Sequence, residues 1–269
     1  NQRVLFVLPV AGGSGGAHSV IQEVSAMRRL GVEAKVAVRE QDYDGFLNLY
    51  QDIETAADLF VSFHLDDLAK PAQDFDVVVG TINSSMNLVR DVVLQFPWIL
   101  PAYYAQDYEP MFFAEGSQDW DTAMQSYDLI PDAIVFAKTK WIGQQIEDRH
   151  CADVFKVAPS IDHSVYFPKS VRQAGGRACV TAMIRPQTPR RGADRTMQLL
   201  GRLKEQFGSS VYVKIFGCDS DHPAFAKLQR SFEYENLGVL NRPQVARLLQ
   251  EADIFIDMSD YQAFGRTAL

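Results

Sequence analysis

The amino-acid sequence predicts an α/β protein of two domains, each built on a parallel sheet. Three observations carry that expectation. Short apolar runs without polar alternation recur between helix-length segments, as strands covered on both faces of a parallel sheet do. The pattern breaks at a polar, proline-punctuated stretch and then starts again with a new strand. Glycine-rich or basic loops follow several of the runs, and open parallel sheets bind ligands beyond the carboxyl ends of their strands. The length of 269 residues suits two ordinary domains.

The first strand is expected from Val4 to Val10, followed by Ala11-Gly-Gly-Ser-Gly-Gly-Ala-His18 and a helix from Ser19 to Leu30. Val20, Ile21, Val24, Met27 and Leu30 recur at helical spacing in that helix, and Gly31 can stop it. The loop can bring the backbone at Gly15 and Gly16 close to a phosphate or a sugar. The same glycines also suit a tight turn that packs helix on strand. Gly13-x-Gly15 begins a dinucleotide fingerprint and Glu40 lies near the ribose-binding position, but His18 occupies the third glycine position. A nucleotide-dependent oxidoreductase is kept as an alternative on that ground.

Further strands are expected at Ala34 to Val38, Asp76 to Gly80, Ile99 to Ala105, Ala133 to Ala137 and Val154 to Ala158, with a helix from Trp141 to His150. The Ile99 strand runs into Tyr103-Tyr-Ala-Gln-Asp-Tyr-Glu-Pro-Met-Phe-Phe-Ala-Glu-Gly-Ser117, a polar and aromatic loop of the kind that carries function. Tyr and Phe at strand ends are also common core residues. Val157 to Pro168 leads to Lys169 to Gly176, which reads as a linker, so the domains are placed at 1–168 and 169–269.

The second half opens with a strand from Ala178 to Ile184, the loop Arg185-Pro-Gln-Thr-Pro-Arg-Arg-Gly192, and a helix from Arg195 to Phe207. Strands at Val211 to Phe216 and Leu237 to Leu240 follow, then a helix opened by Pro243. A last strand, Ile254 to Ile256, ends in the polar turn Ser259 to Gln262, and a glycine elbow leads to Thr267-Ala-Leu269 as a helix start. Asp219-Ser-Asp221 mimics a metal motif, but loop aspartates more often form turns, so no metal is expected.

The totals exclude several classes. A net charge of −8 opposes a nucleic-acid partner over most of the surface. No apolar run approaches the roughly 20 residues that span a bilayer. Cys151, Cys179 and Cys218 have no metal-ligand spacing and read as packing thiols. No leader segment is visible at the first strand, so a cytoplasmic protein is expected, with association at the inner face of a membrane compatible. Against the acidic total stand Arg185, Arg190, Arg191 and Arg195, a group able to hold a small anion.

Tyr261-Gln-Ala-Phe-Gly-Arg-Thr-Ala-Leu269 resembles the donor-site segment of family 4 of the retaining glycosyltransferases, where a Glu precedes x-Phe-Gly. Gln262 stands at that acidic position, and the family's second Glu would fall just after Leu269. Gln106-Asp107 resembles the family's His-Asp with the His replaced. Gln-Asp-Tyr-Glu-Pro with Phe-Phe and Gly-Ser is similar to enzymes that add rhamnose to bacterial surface polysaccharides. The loop Arg185 to Gly192 resembles the Gly-Arg-Leu…Lys-Gly signature, with Arg191 at the Lys position.

The resemblance implies a GT-B fold, two Rossmann-like domains facing across a cleft with the second incomplete. It also implies metal-independent transfer of a sugar, rhamnose first, from a nucleoside diphosphate to a hydroxyl of a glycan or lipid-linked acceptor. No cofactor is implied beyond that co-substrate. Arg185, Arg191, Gln262 and Asp107 are the implied catalytic residues. Gly15, Gly16, Gly217, Leu240, Phe264, Gly265, Arg266 and Thr267 would bind the donor, and His18, Gln106 and Tyr108 would lie on the acceptor side. A chain that binds the nucleotide sugar without turning it over is the alternative from a different class.

Overall fold

In the computed structural model the described residues are 2–12, 15–51, 53, 56–64, 67–158, 161–168, 176–265 and 267. They form two compact units, Asn1–Ser160 and Ile161–Leu269. The division falls ahead of the 168/169 boundary read from the sequence. Residues 161–168 are tied to the second unit, because Arg242 reaches Asp162 (3.2 Å) and Gln250 donates to the Phe167 carbonyl (3.1 Å).

The first unit is a seven-stranded sheet, every pairing parallel, made of β1 (Arg3–Leu8), β2 (Glu33–Arg39), β3 (Phe60–Phe63), β4 (Val77–Gly80), β5 (Leu100–Ala105), β6 (Ile134–Ala137) and β7 (Val154–Lys156). Their order is β3-β2-β1-β4-β5-β6-β7, so chain direction across the sheet reverses between β1 and β4, the place where such sheets bind ligands. Helices α1 (Gly15–Arg29), α2 (Tyr43–Leu49), α3 (Ala56–Leu59), α4 (Ala69–Ala72), α5 (Asn83–Gln95), α6 (Gln118–Gln125) and α7 (Lys140–Glu147) make the crossovers.

The packing explains why the strands do not alternate. Val4, Phe6 and Leu8 of β1 join one buried cluster with Val20, Ile21 and Val24 of α1, while Leu5 and Val7 join another with Val89 and Val92 of α5. Both faces are covered, so every position from Val4 to Leu8 is apolar. Each such fully buried aliphatic or aromatic side chain contributes roughly 1.5–3 kcal/mol.

The second unit is a four-stranded parallel sheet in the order β10-β9-β8-β11, from β8 (Ala178–Met183), β9 (Val211–Phe216), β10 (Glu235–Asn236) and β11 (Ile254–Ile256). Helices α8 (Ala193–Phe207), α9 (Pro223–Ala226) and α10 (Arg242–Glu251) connect them. Met197 and Leu200 of α8 pack with Val180, Ala182, Val213 and Ile215.

Several expectations are corrected. Helix α1 starts at Gly15 and not at Ser19, so Gly15 and Gly16 are its first residues. Strand β3 was not expected; Phe-Val-Ser-Phe follows a helical turn directly, with no glycine or proline to announce it. The strand expected at Leu237 to Leu240 is instead Glu235–Asn236, because Gly238 takes φ +66° and turns the chain off the sheet. Strand β7 ends at Lys156, short of Ala158. Of the expected helix start at the end of the sequence, Ala268 and Leu269 lie outside the described residues.

Candidate functional site

In the first unit, four loops meet at the carboxyl edge of the sheet beside the β1–β4 reversal. Gly15 and Gly16 open α1, and a Cβ at Gly15 would meet nothing within 4 Å. Packing therefore does not require glycine at Gly15, and its backbone can be approached closely. Thr81 follows β4, Gln106 to Glu109 follow β5, and Lys138 follows β6.

These groups form one network. The Lys138 ammonium, on a residue 6% exposed, donates to Ser19 Oγ of α1 (2.8 Å) and to Gln106 Oε1 (3.2 Å), and lies over the Tyr104 ring. Gln106 Nε2 in turn donates to the Thr81 carbonyl (3.4 Å). An ammonium carries donors alone, so it fixes the Gln106 amide with its oxygen inward. Neither Lys138 nor Glu109 was singled out from the sequence. Lys138 had a signal: a cation directly after an apolar strand.

Glu109 is buried, and its Oε2 accepts the Asn83 backbone N–H (2.8 Å) at the start of α5, where the N-cap residue Ile82 has no acceptor of its own. Burial raises the carboxyl to about 7, opposed by the Asn83 hydrogen bond and aided by nearby Asp107. The Tyr127 hydroxyl accepts from the Glu109 N–H (3.2 Å) and donates to the Asp107 carbonyl (3.1 Å), and burial pushes its pKa upward. The loop after β5 is thus held from beneath.

The acceptor-side residues divide. Gln106 and Asp107 stand at the edge, Asp107 accepting the Tyr108 N–H (2.9 Å). Tyr108 turns inward, 3% exposed, with its hydroxyl on His150 Nε2 (3.1 Å) and Met124 Sδ (3.2 Å), so it packs the loop and does not present itself to a ligand. His18 lies on α1 with Nδ1 on the Tyr50 hydroxyl (2.9 Å).

In the second unit, Arg185 is exposed one residue beyond Ile184, whose N–H still bonds across to Phe216 (2.7 Å). The loop continues through a 3₁₀ turn, Pro189–Arg191, to Gly192, which takes φ +61° and begins α8 without a side-chain cap. No side chain caps the first N–H groups of α8, which follow Arg191 and Gly192 directly, and the start of a helix favours an anion. Gly217 follows β9 at φ +101°, donates to the Gly238 carbonyl (2.8 Å), and could not carry a Cβ without meeting Met183 and the Ile184 carbonyl near 3 Å. Leu240 is half-buried before the capping box of Asn241 and Gln244.

Beyond β11, Gln262 Nε2 donates to Asp257 Oδ2 (2.5 Å) and Ser259 Oγ (3.1 Å). Both amide protons serve the turn, which leaves Oε1 as the amide atom able to accept from another group. Phe264, Gly265 and Thr267 are partly exposed beyond it, while Arg266 lies outside the described residues. Asp219 accepts the Val239 N–H (3.3 Å), the behaviour of a turn former. Among the described residues no group of three or more His, Cys, Asp or Glu side chains is placed to hold a metal, and no helix is long and apolar enough to cross a membrane.

No protein-family model matches the chain. A stretch of 155 residues, 58% of the chain, is 28% identical to the O-antigen biosynthesis protein RfbC of Myxococcus xanthus, of which it spans 12%. Among solved structures, Anabaena HepE in complex with UDP and glucose matches 99% of this chain and 77% of its own, at TM-score 0.75 and 14% identity. WaaG, a glycosyltransferase involved in lipopolysaccharide biosynthesis, matches 97% and 76%, at TM-score 0.67 and 14% identity. At these identities the likeness is one of fold, and the fold is that of the GT-B glycosyltransferases.

Proposed function

We propose that this chain belongs to a retaining glycosyltransferase that moves a sugar from a nucleoside diphosphate to a hydroxyl of a glycan or lipid-linked glycan in surface polysaccharide synthesis. One observation carries the reading: at the carboxyl edge of the second sheet an arginine loop, the uncapped start of a 15-residue helix and the Gln262 turn come together. Arg185, Arg191 and the helix amides would bind the diphosphate, where negative charge grows as the sugar departs. Gln262 Oε1 would accept from a sugar hydroxyl. The GT-B neighbours and the O-antigen relative support the reaction class.

Rhamnose is the donor sugar we favour, on the Gln106-Asp-Tyr-Glu-Pro110 segment, and we expect no metal because two guanidinium groups can supply the neutralising charge. At the first unit's edge Gln106 and Asp107 would face the acceptor. A thermal-shift and titration panel of UDP, UDP-glucose, thymidine diphosphate rhamnose and NAD tests the class, with stabilisation expected from the first three and none from NAD. A stronger response to UDP-glucose would replace the sugar. Transfer to a polysaccharide fragment, followed as nucleotide release, should persist in excess chelator; loss restored by Mg²⁺ or Mn²⁺ would overturn metal independence. Binding without release of nucleotide would favour the non-catalytic reading.

A further inference from the structure

We infer that Arg195 and Arg190 are positioning residues that lock the Gln262 turn onto the arginine loop, making the phosphate-facing and sugar-facing parts of the second unit's site one rigid piece. The inference rests on the donor-site reading above. Arg195 sits in the first turn of α8, and its guanidinium reaches a loop more than sixty residues further along the chain. Nη2 and Nε donate to the Met258 carbonyl (3.0 and 3.3 Å), and Nη2 also reaches Asp260 Oδ1 (2.7 Å).

Arg190 ties the same turn from the other side. Its carbonyl accepts the Asp260 N–H (2.8 Å), its guanidinium lies 5.4 Å from the Tyr261 ring centre, and Nη1 approaches the Tyr261 hydroxyl (3.4 Å). Gly192 makes the approach possible, because a Cβ there would lie 2.3 Å from the Met258 carbonyl oxygen. Met258 and Asp260 are thereby pinned on either side of Ser259, and Ser259 together with Asp257 orients the Gln262 amide.

The consequence is a division of labour. A turn left loose would have to be ordered when a sugar binds, and that ordering weakens sugar affinity while leaving diphosphate contacts alone. An isolated surface ion pair would have no such selective effect.

Hydrogen exchange and titration on the intact chain separate these cases. In the ligand-free protein, Arg195→Ala, Arg190→Ala and Asp260→Ala should each speed exchange at the Ser259 to Gln262 amides without changing the interior of α8, and Arg195→Lys should restore protection in part. In titration, Arg195→Ala should keep UDP affinity within about twofold but lose roughly threefold to tenfold of UDP-glucose affinity. The double variant should be no worse than the weaker single one, as expected for partners in one contact. Unchanged exchange, or equal losses for UDP and UDP-glucose, overturns the assignment. If the wild type binds neither ligand, the donor-site reading fails, and the exchange experiment still decides whether the two arginines hold the turn.

Discussion

Replacing Glu109 by Gln should change how the stability of the first unit depends on pH. The folded carboxyl keeps its proton to about 7, against an ordinary value of 4.5, chiefly because burial disfavours the charge. Between those values the folded state holds a proton that the unfolded chain has released, so stability falls as pH rises through this window and the loss is complete above about 7. The full difference corresponds to about 3 kcal/mol. Gln keeps an oxygen for the Asn83 N–H and carries no charge. The gain in stability on Glu109→Gln should therefore be near its minimum at pH 4.5 and grow by about 3 kcal/mol by pH 8. Subtracting one protein from the other cancels the remaining titrating groups. Trp98, Trp120 and Trp141 are the chain's three tryptophans and all lie in the first unit, so their fluorescence in urea follows that unit. Stability curves for the two proteins that run parallel across this pH range would show that Glu109 ionises at no cost, and the argument from burial would be wrong.

Three further outcomes are expected. Arg185→Ala and Arg191→Ala should each weaken nucleoside diphosphate binding by about 10- to 150-fold in isothermal titration, with Arg202→Ala on the exposed face of α8 as the control; near-equal affinities would refute diphosphate binding by the two arginines. Gln262→Glu, although it installs the residue of the family that the sequence resembles there, should lower UDP-glucose affinity by roughly threefold or more, because a carboxylate would replace the amide nitrogen 2.5 Å from Asp257 Oδ2. Gly192→Ala should cost at least about 1–2 kcal/mol in denaturant, from its left-handed backbone alone, and should raise exchange at Met258; a neutral result would mean that the two loops do not need their close approach.

The fold was legible where chemistry is local. Nine of the expected strands overlap observed ones, because strands covered on both faces are mostly apolar, and such a run is visible in one dimension. Phe60–Phe63 escaped because four residues at the sheet's end carry a mixed pattern, β3 showing one exposed side chain among buried ones. Gly238 escaped for the opposite reason. Whether a glycine ends a strand depends on the sign of φ, and residue type permits either sign.

The site was legible as loops and illegible as contacts. Four arginines between Arg185 and Arg195 look equivalent in the sequence, since each is a long cation near the start of a helix. Their acceptors separate them: Met258 and Asp260 take Arg195, Tyr261 takes Arg190, and those acceptors belong to a loop that the sequence places far away. Tyr108 and Glu109 show the same limit in adjacent residues. Both sit in the segment that pointed to a ligand loop, yet both face inward, one to His150 and one to the start of α5. A loop that presents Gln106 and Asp107 in fixed directions needs such anchors. In a segment rich in polar and aromatic residues, the anchors and the presented groups have the same composition, and the three-dimensional partners are what distinguish them.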